Sequence, residues 1–420
     1  MSPISSIVSG ASSASTPRTT ATPSRPSPAL ERVGAGGRLS LLVKPVGDAC
    51  NLACSYCFYR GAGPAGGEVP PRMPESVLAA LLAQALRPGG AATVELAWQG
   101  GEPLLMGAPF FRRVFELQRR LCPRGVTVVH TIQTNGQLLD EELCELFAAH
   151  RCLVGLSIDG PADLHDAYRT TLRGDGSHAA VVRAARRLAR AGVDTNALIA
   201  VHARNQDHPE AVYRHVVDEL GIRHLQILPV AGRPDVDDAF AVDPERLGAF
   251  LTGLLRAWEA RDVGRVFIQP IEAVAALLAG EDGGLCTAAR TCGLNPVVER
   301  NGDVFACDHF VARPHRLGNL LETPLLELVL GARQRQFGLA KRDGLPSDCR
   351  ACALLALCGG GCPKDRPPRT GEAIDRPSIL CAGYRRFLTE AIPTLTRLAA
   401  GPHPAGAAVH PSSTELRSPR

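Results

Sequence analysis

The sequence predicts an α/β fold in which a partial, parallel (β/α)6 barrel is followed by a small cysteine-rich domain. Two observations predict this fold. Short apolar runs alternate with amphipathic helical stretches from Leu39 to about Ala275, a pattern typical of parallel strands joined by crossover helices. Beyond this region, most of the cysteines of the chain stand at short intervals, as they do in iron-sulfur and zinc sites.

The barrel is predicted from six strand candidates and the helices between them. The strand candidates are short runs rich in Val, Ile, Leu and Thr: Leu39–Val43, Val94–Trp98, Val126–Gln133, Leu153–Ile158, Thr195–Val201 and His224–Pro229. The clearest amphipathic helices between them are Glu75–Leu86, Ala179–Ala191 and Pro209–Leu220. Six strands leave a barrel partly open, and we expect the lateral opening to admit a peptide. Functional residues of parallel barrels lie at the carboxyl ends of the strands.

The chain is expected to comprise two domains and two disordered ends. Residues 39–275 should form the barrel and residues 276–395 the cysteine-rich domain. Residues 1–38 are rich in Ser, Thr, Pro, Ala and Gly and hold one acid, Glu31, so we expect a disordered extension; residues 396–420 should form a second disordered tail. The basic, acid-poor extension overlaps with organelle transit peptides, but an Ala/Arg/Gly-rich composition favours a bacterial cytosolic extension.

Composition favours a cytoplasmic enzyme, and we expect a monomer. The net charge of +4 over 420 residues is too small to indicate nucleic-acid or membrane-surface binding. No apolar run approaches the roughly 20 residues that span a bilayer. Cys122, Cys144 and Cys152 stand in apolar surroundings, where a buried thiol is the ordinary explanation. Disulfides are therefore not implied.

Three cysteines directly follow the first strand. Cys50, Cys54 and Cys57 have the spacing C-x3-C-x2-C. Three thiolates cannot complete the four-thiolate shell of a four-iron cluster, so one iron would be left open for another molecule. The alternative is a zinc knuckle, which needs a fourth Cys or His within about 20 residues, and none follows before Cys122.

Eight further cysteines stand in the second domain. Cys292 and Cys307 flank a turn as C-x9-G-x4-C. The others in this domain are Cys286, Cys349, Cys352, Cys358, Cys362 and Cys381. Eight thiolates match two fully ligated four-iron clusters. Two four-cysteine zinc sites are the alternative that these residues leave open.

Taken together, these motifs resemble the anaerobic sulfatase-maturating enzymes, which are radical S-adenosylmethionine enzymes with a SPASM extension. The resemblance runs from roughly Leu39 to Leu395. The segments that carry it are Cys50–Tyr59, Gln99–Pro103, Gln133–Gly136, Gly155–Pro161, Leu225–Gln226, Cys307–Asp308 and Leu317–Asn319. It implies a radical S-adenosylmethionine barrel of the TIM type and a SPASM domain that holds two auxiliary iron-sulfur clusters.

The resemblance implies three [4Fe-4S] clusters and S-adenosyl-L-methionine as cofactors. Cys50, Cys54 and Cys57 would hold the first cluster, and the methionine part of the cofactor would chelate its open iron. The implied ligands of one auxiliary cluster are Cys286, Cys292, Cys307 and Cys362. Those of the other are Cys349, Cys352, Cys358 and Cys381.

Further site residues follow from the same resemblance and from strand-end positions. Residues expected to contact S-adenosylmethionine are Tyr56, Gly101, Ser157, Arg169 and Ala231. Glu102 should accept hydrogen bonds from the methionine ammonium, and the Gly100-Gly101 pair should let the backbone approach the ligand. Asp308 matches the general base of the family. Tyr59 and Gln99 should line the substrate side.

The implied reaction converts a Cys or Ser of a sulfatase into Cα-formylglycine, in a Cys/Ser-x-Pro/Ala-x-Arg motif, with flavodoxin or ferredoxin as electron donor. One alternative is a maturase that crosslinks a ribosomally made peptide; the Cys307-Asp308 pair and the eighth cysteine of the second domain favour the sulfatase enzyme over it. The other is an iron-sulfur or zinc protein for electron transfer or scaffolding. That reading leaves the three-cysteine site and the Gly-Gly-Glu-Pro loop without a purpose.

Overall fold

A computed structural model describes residues 37–59, 72–87, 89–232, 238–366 and 376–400. Most of the predicted N-terminal extension, and the C-terminal tail beyond residue 400, lie outside these ranges. The ten strands in chain order are β1 Arg38–Lys44, β2 Thr93–Trp98, β3 Thr127–Thr134, β4 Leu153–Ser157, β5 Thr195–Val201, β6 His224–Pro229, β7 Phe267–Ile268, β8 Val297–Glu299, β9 Asp303–Phe305 and β10 Arg316–Asn319. The six predicted strands therefore all form, each within about two residues of its expected bounds.

The helices lie between and after these strands. The α-helices are α1 Glu75–Ala85, α2 Gly107–Leu121, α3 Glu141–Ala149, α4 Ala162–His165, α5 His178–Ala191, α6 Pro209–Arg214, α7 Pro244–Arg261, α8 Gln269–Leu278, α9 Leu325–Leu330, α10 Ala332–Asp343, α11 Ser347–Arg350, α12 Leu355–Cys358 and α13 Cys381–Ala400. Short 3-10 turns include Pro103–Met106 and Asp308–Phe310. The predicted helix Pro209–Leu220 is α-helical only to Arg214 and continues as one π-helical turn, His215–Glu219.

The first seven strands form the partial barrel in sequence order. Each of the strands β1 to β7 pairs in parallel with the next. Strand β2 buries alternate residues, whereas β5 buries five residues in a row. Helices cover the outer face: α5, for example, buries Val181, Ala184, Ala185 and Leu188, one side of a helix at the i, i+3, i+4, i+7 spacing. The predicted (β/α)6 arrangement is thus present, and the two-residue strand β7 extends it.

The second domain adds to the same sheet. The strand order is β10-β9-β8-β1-β2-β3-β4-β5-β6-β7, because β8 pairs in parallel with β1 and forms an antiparallel meander with β9 and β10. Helix α8 spans residue 275, where the sequence placed the domain boundary, and α13 continues to Ala400, past the expected start of the tail at 396. Among the described residues, none of the helices has the length and apolarity that crossing a membrane requires.

Candidate active site

The three-cysteine loop is held against the segment that follows β4. Backbone hydrogen bonds join Ala53 N to Thr170 O at 2.8 Å and Ser55 N to Tyr168 O at 2.9 Å. These bonds fix the backbone between Cys50 and Cys57. They also bring Arg169, which lies within the facing segment, next to the cysteines.

The three thiols of this loop lie close together and are half-buried. Burial, with smaller contributions from Glu102, Cys54 and Cys57, raises the pKa of Cys50 to about 12. The Cys50 sulfur accepts hydrogen bonds from Leu52 N at 3.4 Å and from Asn135 Nδ2 at 3.6 Å. Such a thiol loses its proton when a metal cation binds it, so this set fits a site-differentiated iron-sulfur cluster.

Gly101 packs against the loop that leads to Cys50. A Cβ atom at Gly101 would overlap the carbonyl of Ala49. Gly101 N donates to Gly47 O at 2.8 Å and Glu102 N donates to Ala49 O at 2.8 Å. The glycine therefore permits a close contact between two barrel loops. The contact with S-adenosylmethionine that the sequence predicted for Gly101 stays a prediction.

Glu102 points into the protein and is 0 % exposed. Its carboxylate accepts hydrogen bonds from Leu104 N at 3.0 Å, Thr134 Oγ1 at 2.8 Å and Asn135 N at 2.8 Å. Burial raises its pKa to about 7 despite these donors. Three of about four acceptor positions on a carboxylate are thus filled. Glu102 thus joins the ends of β2 and β3. Its predicted contact with the methionine ammonium stays a prediction.

Asp159 is the centre of a buried network behind the cysteine loop. Its carboxylate accepts hydrogen bonds from Tyr56 Oη at 2.5 Å, Arg169 Nε at 2.7 Å and Ala200 N at 2.9 Å. Burial alone would raise the pKa of Asp159, but the charge of Arg169 and the contact with His202 hold it below its usual value. Arg169 is therefore paired with Asp159 and lies 5.4 Å from the Tyr56 ring centre.

Ser157 and Ala231 complete the set predicted to contact S-adenosylmethionine. Ser157 is the last residue of β4 and is half-buried, two residues before Asp159. Ala231 follows β6 and packs, partly buried, on the hydrophobic core. The residues directly after it, 233–237, lie outside the described ranges. Tyr56 and Gly101 follow β1 and β2, whereas Ser157 ends β4 and Arg169 lies after it. Their contacts with S-adenosylmethionine stay predictions.

Asp308 lies at a second carboxylate centre, on the barrel side of the second domain. Tyr59 Oη lies 2.8 Å from Asp308 Oδ2, and Gln99 Nε2 donates to the same oxygen at 3.1 Å. Lys44 Nζ forms an ion pair with Oδ1 at 2.5 Å and lies 4.4 Å from the centre of the Tyr59 ring. The three residues that the sequence placed on the substrate and base side, Asp308, Tyr59 and Gln99, are thus in direct contact.

Sequence reasoning missed Lys44 and Glu299. Lys44 is the last residue of β1 and only 2 % exposed, and its ammonium also lies 3.5 Å from Glu299 Oε1. Burial raises the pKa of Glu299, although the Lys44 charge opposes the rise. A lysine at the carboxyl end of a barrel strand was the signal that could have found this residue.

The assignment of eight cysteines of the second domain to two auxiliary clusters stays a prediction, but cysteines of the same set are neighbours in the structure. In the first set, Cys307 lies near Cys292 and Cys362, and Cys292 lies near Cys286, as the mutual effects on their pKa values show after burial, which raises each. In the second set, burial likewise raises the pKa values of Cys349, Cys358 and Cys381, and each is raised further by its neighbours in the set. All 14 cysteines lie in the described ranges and none forms a disulfide. Each set thus offers four unpaired thiols, the number that a fully ligated four-iron cluster needs. One thiol in each set, Cys362 and Cys349, is buried, and Cys286 is exposed.

Two family models match the chain. The model of the radical SAM superfamily matches residues 45–216, and the model of an iron-sulfur cluster-binding domain matches residues 292–353. The first range covers the cysteine loop and the buried carboxylates of Glu102 and Asp159, which follow β2 and β4. The second range covers four ligand candidates of the second domain.

Full-length relatives decide between the families that share these domains. The chain is 35 % identical over 373 residues to the serine-type anaerobic sulfatase-maturating enzyme of Bacteroides thetaiotaomicron, a match that covers 84 % of this chain and 90 % of the relative. The chain belongs to the anaerobic sulfatase-maturating enzymes. The maturase is also 29 % identical over 368 residues to the cysteine-type enzyme of Clostridium perfringens, covering 86 % of this chain and 98 % of the relative.

A solved structure agrees with this assignment. The maturase matches the structure described as native anSMEcpe with bound AdoMet and Kp18Cys peptide with a TM-score of 0.78 and 30 % identity, covering 86 % of this chain and 99 % of that one. The predicted family and fold class are thus confirmed. The maturase is a radical S-adenosylmethionine enzyme, and its cofactors are S-adenosylmethionine and iron-sulfur clusters.

Proposed function

We propose that the maturase oxidises a Cys or Ser side chain of a sulfatase polypeptide to Cα-formylglycine. The observation that carries the proposal is the placement of Asp308: it directly follows Cys307 of an auxiliary set and contacts the strand-end residues Lys44 and Gln99. A proton acceptor beside an electron acceptor is what this oxidation needs, because the substrate must lose both a proton and an electron.

The cofactors supply the radical chemistry, and the chain supplies their ligands. We propose Cys50, Cys54 and Cys57 for the cluster that binds S-adenosylmethionine, with Tyr56, Gly101, Ser157 and Arg169 around it. When bound, the first cluster and S-adenosylmethionine would supply a 5'-deoxyadenosyl radical that removes a Cβ hydrogen atom. An auxiliary cluster would accept one electron. Asp159 fixes Tyr56 and Arg169 for this role, because it binds both.

Asp308 takes the remaining proton, from the thiol of a Cys substrate or the hydroxyl of a Ser substrate. Its carboxylate has three side-chain donors for about four acceptor positions, so one position is available to the substrate. The adjacent ammonium of Lys44 forms an ion pair with Oδ1 and holds the carboxylate in place. A Cys substrate loses two hydrogens to give a thioaldehyde, which water converts to the aldehyde and H2S; a Ser substrate gives the aldehyde directly.

The partners are proposed on the same basis. A Cys/Ser-x-Pro/Ala-x-Arg segment of the sulfatase would reach Asp308 through the lateral opening of the barrel. A flavodoxin or ferredoxin is proposed as the electron donor. Oxygen-sensitive clusters and 14 unpaired cysteines suit a reducing, cytoplasmic compartment.

Reduced enzyme, S-adenosylmethionine and a peptide with Cys-x-Pro-x-Arg test the proposal. The peptide should lose about 18 Da in the exchange of H2S for O, and its Ser counterpart should lose about 2 Da, each with release of 5'-deoxyadenosine. An aldehyde-trapping hydrazine should label both products. A Cys peptide that loses only two hydrogens and becomes crosslinked would instead identify a peptide-crosslinking maturase.

A variant with Cys50, Cys54 and Cys57 replaced by Ala is the matched control. It should keep about eight of about twelve iron atoms, because each four-iron cluster holds about four. It should release no deoxyadenosine. Stoichiometric zinc without sulfide in the parent protein would contradict the cluster assignment.

A further inference from the structure

Lys341 is a buried cation in the second domain. It lies on α10 and is 1 % exposed. Its ammonium donates to the main-chain carbonyl oxygens of Cys286 at 3.0 Å and Thr287 at 2.8 Å. Among the described residues, no carboxylate forms an ion pair with it; the acidic groups near it are the thiols of Cys286, Cys292 and Cys362. A buried charge without a counter-charge is strongly unfavourable.

The auxiliary cluster held by this cysteine set would supply the negative charge opposite Lys341. A four-iron cluster with four thiolate ligands is an anion, and it gains one further negative charge on reduction. Net charge and hydrogen bonds near a cluster set its reduction potential. We propose that Lys341 is the counter-charge of the cluster held by Cys286, Cys292, Cys307 and Cys362, and that it raises the reduction potential of this cluster more than it raises that of its neighbour.

The direction of the effect follows from the charges. A nearby positive charge stabilises the reduced, more negative state more than the oxidised state, so it raises the potential. Lys341 binds the backbone of a ligand of the first set, and its charge also reaches Cys358 of the second set. Its effect on the second cluster is the smaller one, because no ligand of that set is among its hydrogen-bond partners.

A second cation, Arg366, lies between the two sets. Its guanidinium donates to Lys341 O, Gly344 O and Gly360 O. The charge of Arg366 reaches Cys292 of the first set and Cys349 of the second. Arg366 therefore favours reduction of both clusters, whereas Lys341 distinguishes between them.

The consequence for the reaction rests on the proposed function. Cys307 of the tuned cluster precedes Asp308, the proposed proton acceptor. The substrate would then give its proton to Asp308 and its electron to the cluster next to it. Lys341 is a positioning residue in this scheme, because it acts through the cluster and does not touch the substrate.

Potentiometric titration of the holoenzyme with dithionite, followed by electron paramagnetic resonance, tests the proposal. In Lys341→Met, the equilibrium constant for reduction of one auxiliary cluster should fall at least tenfold, about 59 mV for one electron. The other two clusters should change less. Lys341→Arg should keep the parent potential, and Arg397→Met is the distant control, since Arg397 lies at the far end of α13 and pairs with Glu259.

Each outcome bears on the proposal. An unchanged potential in a Lys341→Met protein with its full iron and sulfide content would overturn it, as would an equal shift of all three clusters. If Lys341→Met and Lys341→Gln lose one auxiliary cluster while Lys341→Arg keeps it, the counter-charge role is supported. If Lys341→Arg loses it as well, Lys341 is a structural residue. The titration needs no sulfatase peptide, so its result is independent of formylglycine formation.

Discussion

Two tyrosines three residues apart in the cysteine loop each bind an aspartate, but the two aspartates are in different states. Tyr56 donates to Asp159, which is 0 % exposed and also accepts two hydrogen bonds from Arg169 and one from Ala200 N. Tyr59 donates to Asp308, which is 14 % exposed and otherwise binds only side chains. Both pairs lie beside cluster-ligand candidates.

The difference indicates which carboxylate can change its protonation. About four acceptor positions exist on a carboxylate. All four on Asp159 are filled by donors, including a backbone N–H that cannot move away. Asp308 has three donors and some contact with solvent. We therefore expect Asp159 to stay ionised as a structural anion and Asp308 to accept a proton during turnover.

The largest expected effect is that of Asp308→Asn. If Asp308 is the proton acceptor, this nearly isosteric change should reduce formylglycine formation by roughly 10²- to 10⁴-fold, the usual contribution of a general base. Iron content, unfolding temperature and S-adenosylmethionine binding should stay at the parent values. Deoxyadenosine release should partly survive, because hydrogen abstraction can precede proton loss. Parent-level aldehyde formation would remove Asp308 from the mechanism.

Asp159→Asn should act on stability instead. It leaves the buried guanidinium of Arg169 without its counter-charge, which costs about 3–5 kcal/mol in the free energy of unfolding. Anaerobic urea unfolding measures this loss, and equilibrium dialysis measures the accompanying loss of S-adenosylmethionine binding. If Asp159→Asn keeps the parent stability and fails only in aldehyde formation, Asp159 would have the role that we assign to Asp308.

The two tyrosines offer a matched pair of smaller changes. Tyr56→Phe removes a donor from a fully buried carboxylate, and we expect a loss of about 1–3 kcal/mol in unfolding free energy. Tyr59→Phe should cost less than about 1 kcal/mol, because water can reach Asp308 and replace the hydroxyl. Per folded enzyme, Tyr59→Phe should lower the rate of aldehyde formation more than Tyr56→Phe does. Equal losses of stability would contradict the distinction.

A further difference between the two aspartates concerns pH. Burial lowers the pKa of His165, which accepts from Asp159 N at 3.2 Å, to about 3. Its folded pKa lies below the unfolded value of 6.5, so the unfolded chain binds the proton first and stability falls as pH drops below 6.5. At pH 5 this group costs about 2 kcal/mol, since one pKa unit is about 1.36 kcal/mol. His165→Gln should reduce the difference in unfolding free energy between pH 7 and pH 5 by this amount.

His130 provides the internal control for that measurement. Burial also lowers its pKa to about 3, but it lies in the core beside Trp98, away from both aspartates. Its contribution to the pH dependence should persist in His165→Gln. An unchanged pH dependence in that variant would show that His165 is not the titrating group.

The barrel strands were predictable because each is a short run rich in Val, Ile, Leu or Thr, and strands need only local patterning to be recognised. The cysteine sets were predictable from spacing and resemblance together. The two-residue strand β7 was not predictable, since two residues carry no periodicity. The turn of π-helix at His215–Glu219 was missed for a similar reason: its residues fit an ordinary helical pattern.

Contacts between distant segments of the chain could not be predicted from the sequence either. The ion pair of Lys44 with Asp308 joins residues far apart in the chain, as does the pairing of the cysteine loop with Tyr168 and Thr170. Glu102 was predicted as a ligand because it follows a glycine pair at a strand end. Its inward orientation depends on Thr134 and Asn135 of the next strand, which no local pattern reveals.

Because β8 pairs with β1, the second domain covers one edge of the barrel sheet. Leu42, Val43 and Lys44 are paired with Val297, Val298 and Glu299. A fragment ending near residue 275 would present that side of β1 as an open strand edge, and unpaired edges recruit other chains into aggregates. Heterologous production of the barrel alone should therefore give insoluble material, and a cut that preserves solubility would have to retain the meander through Asn319.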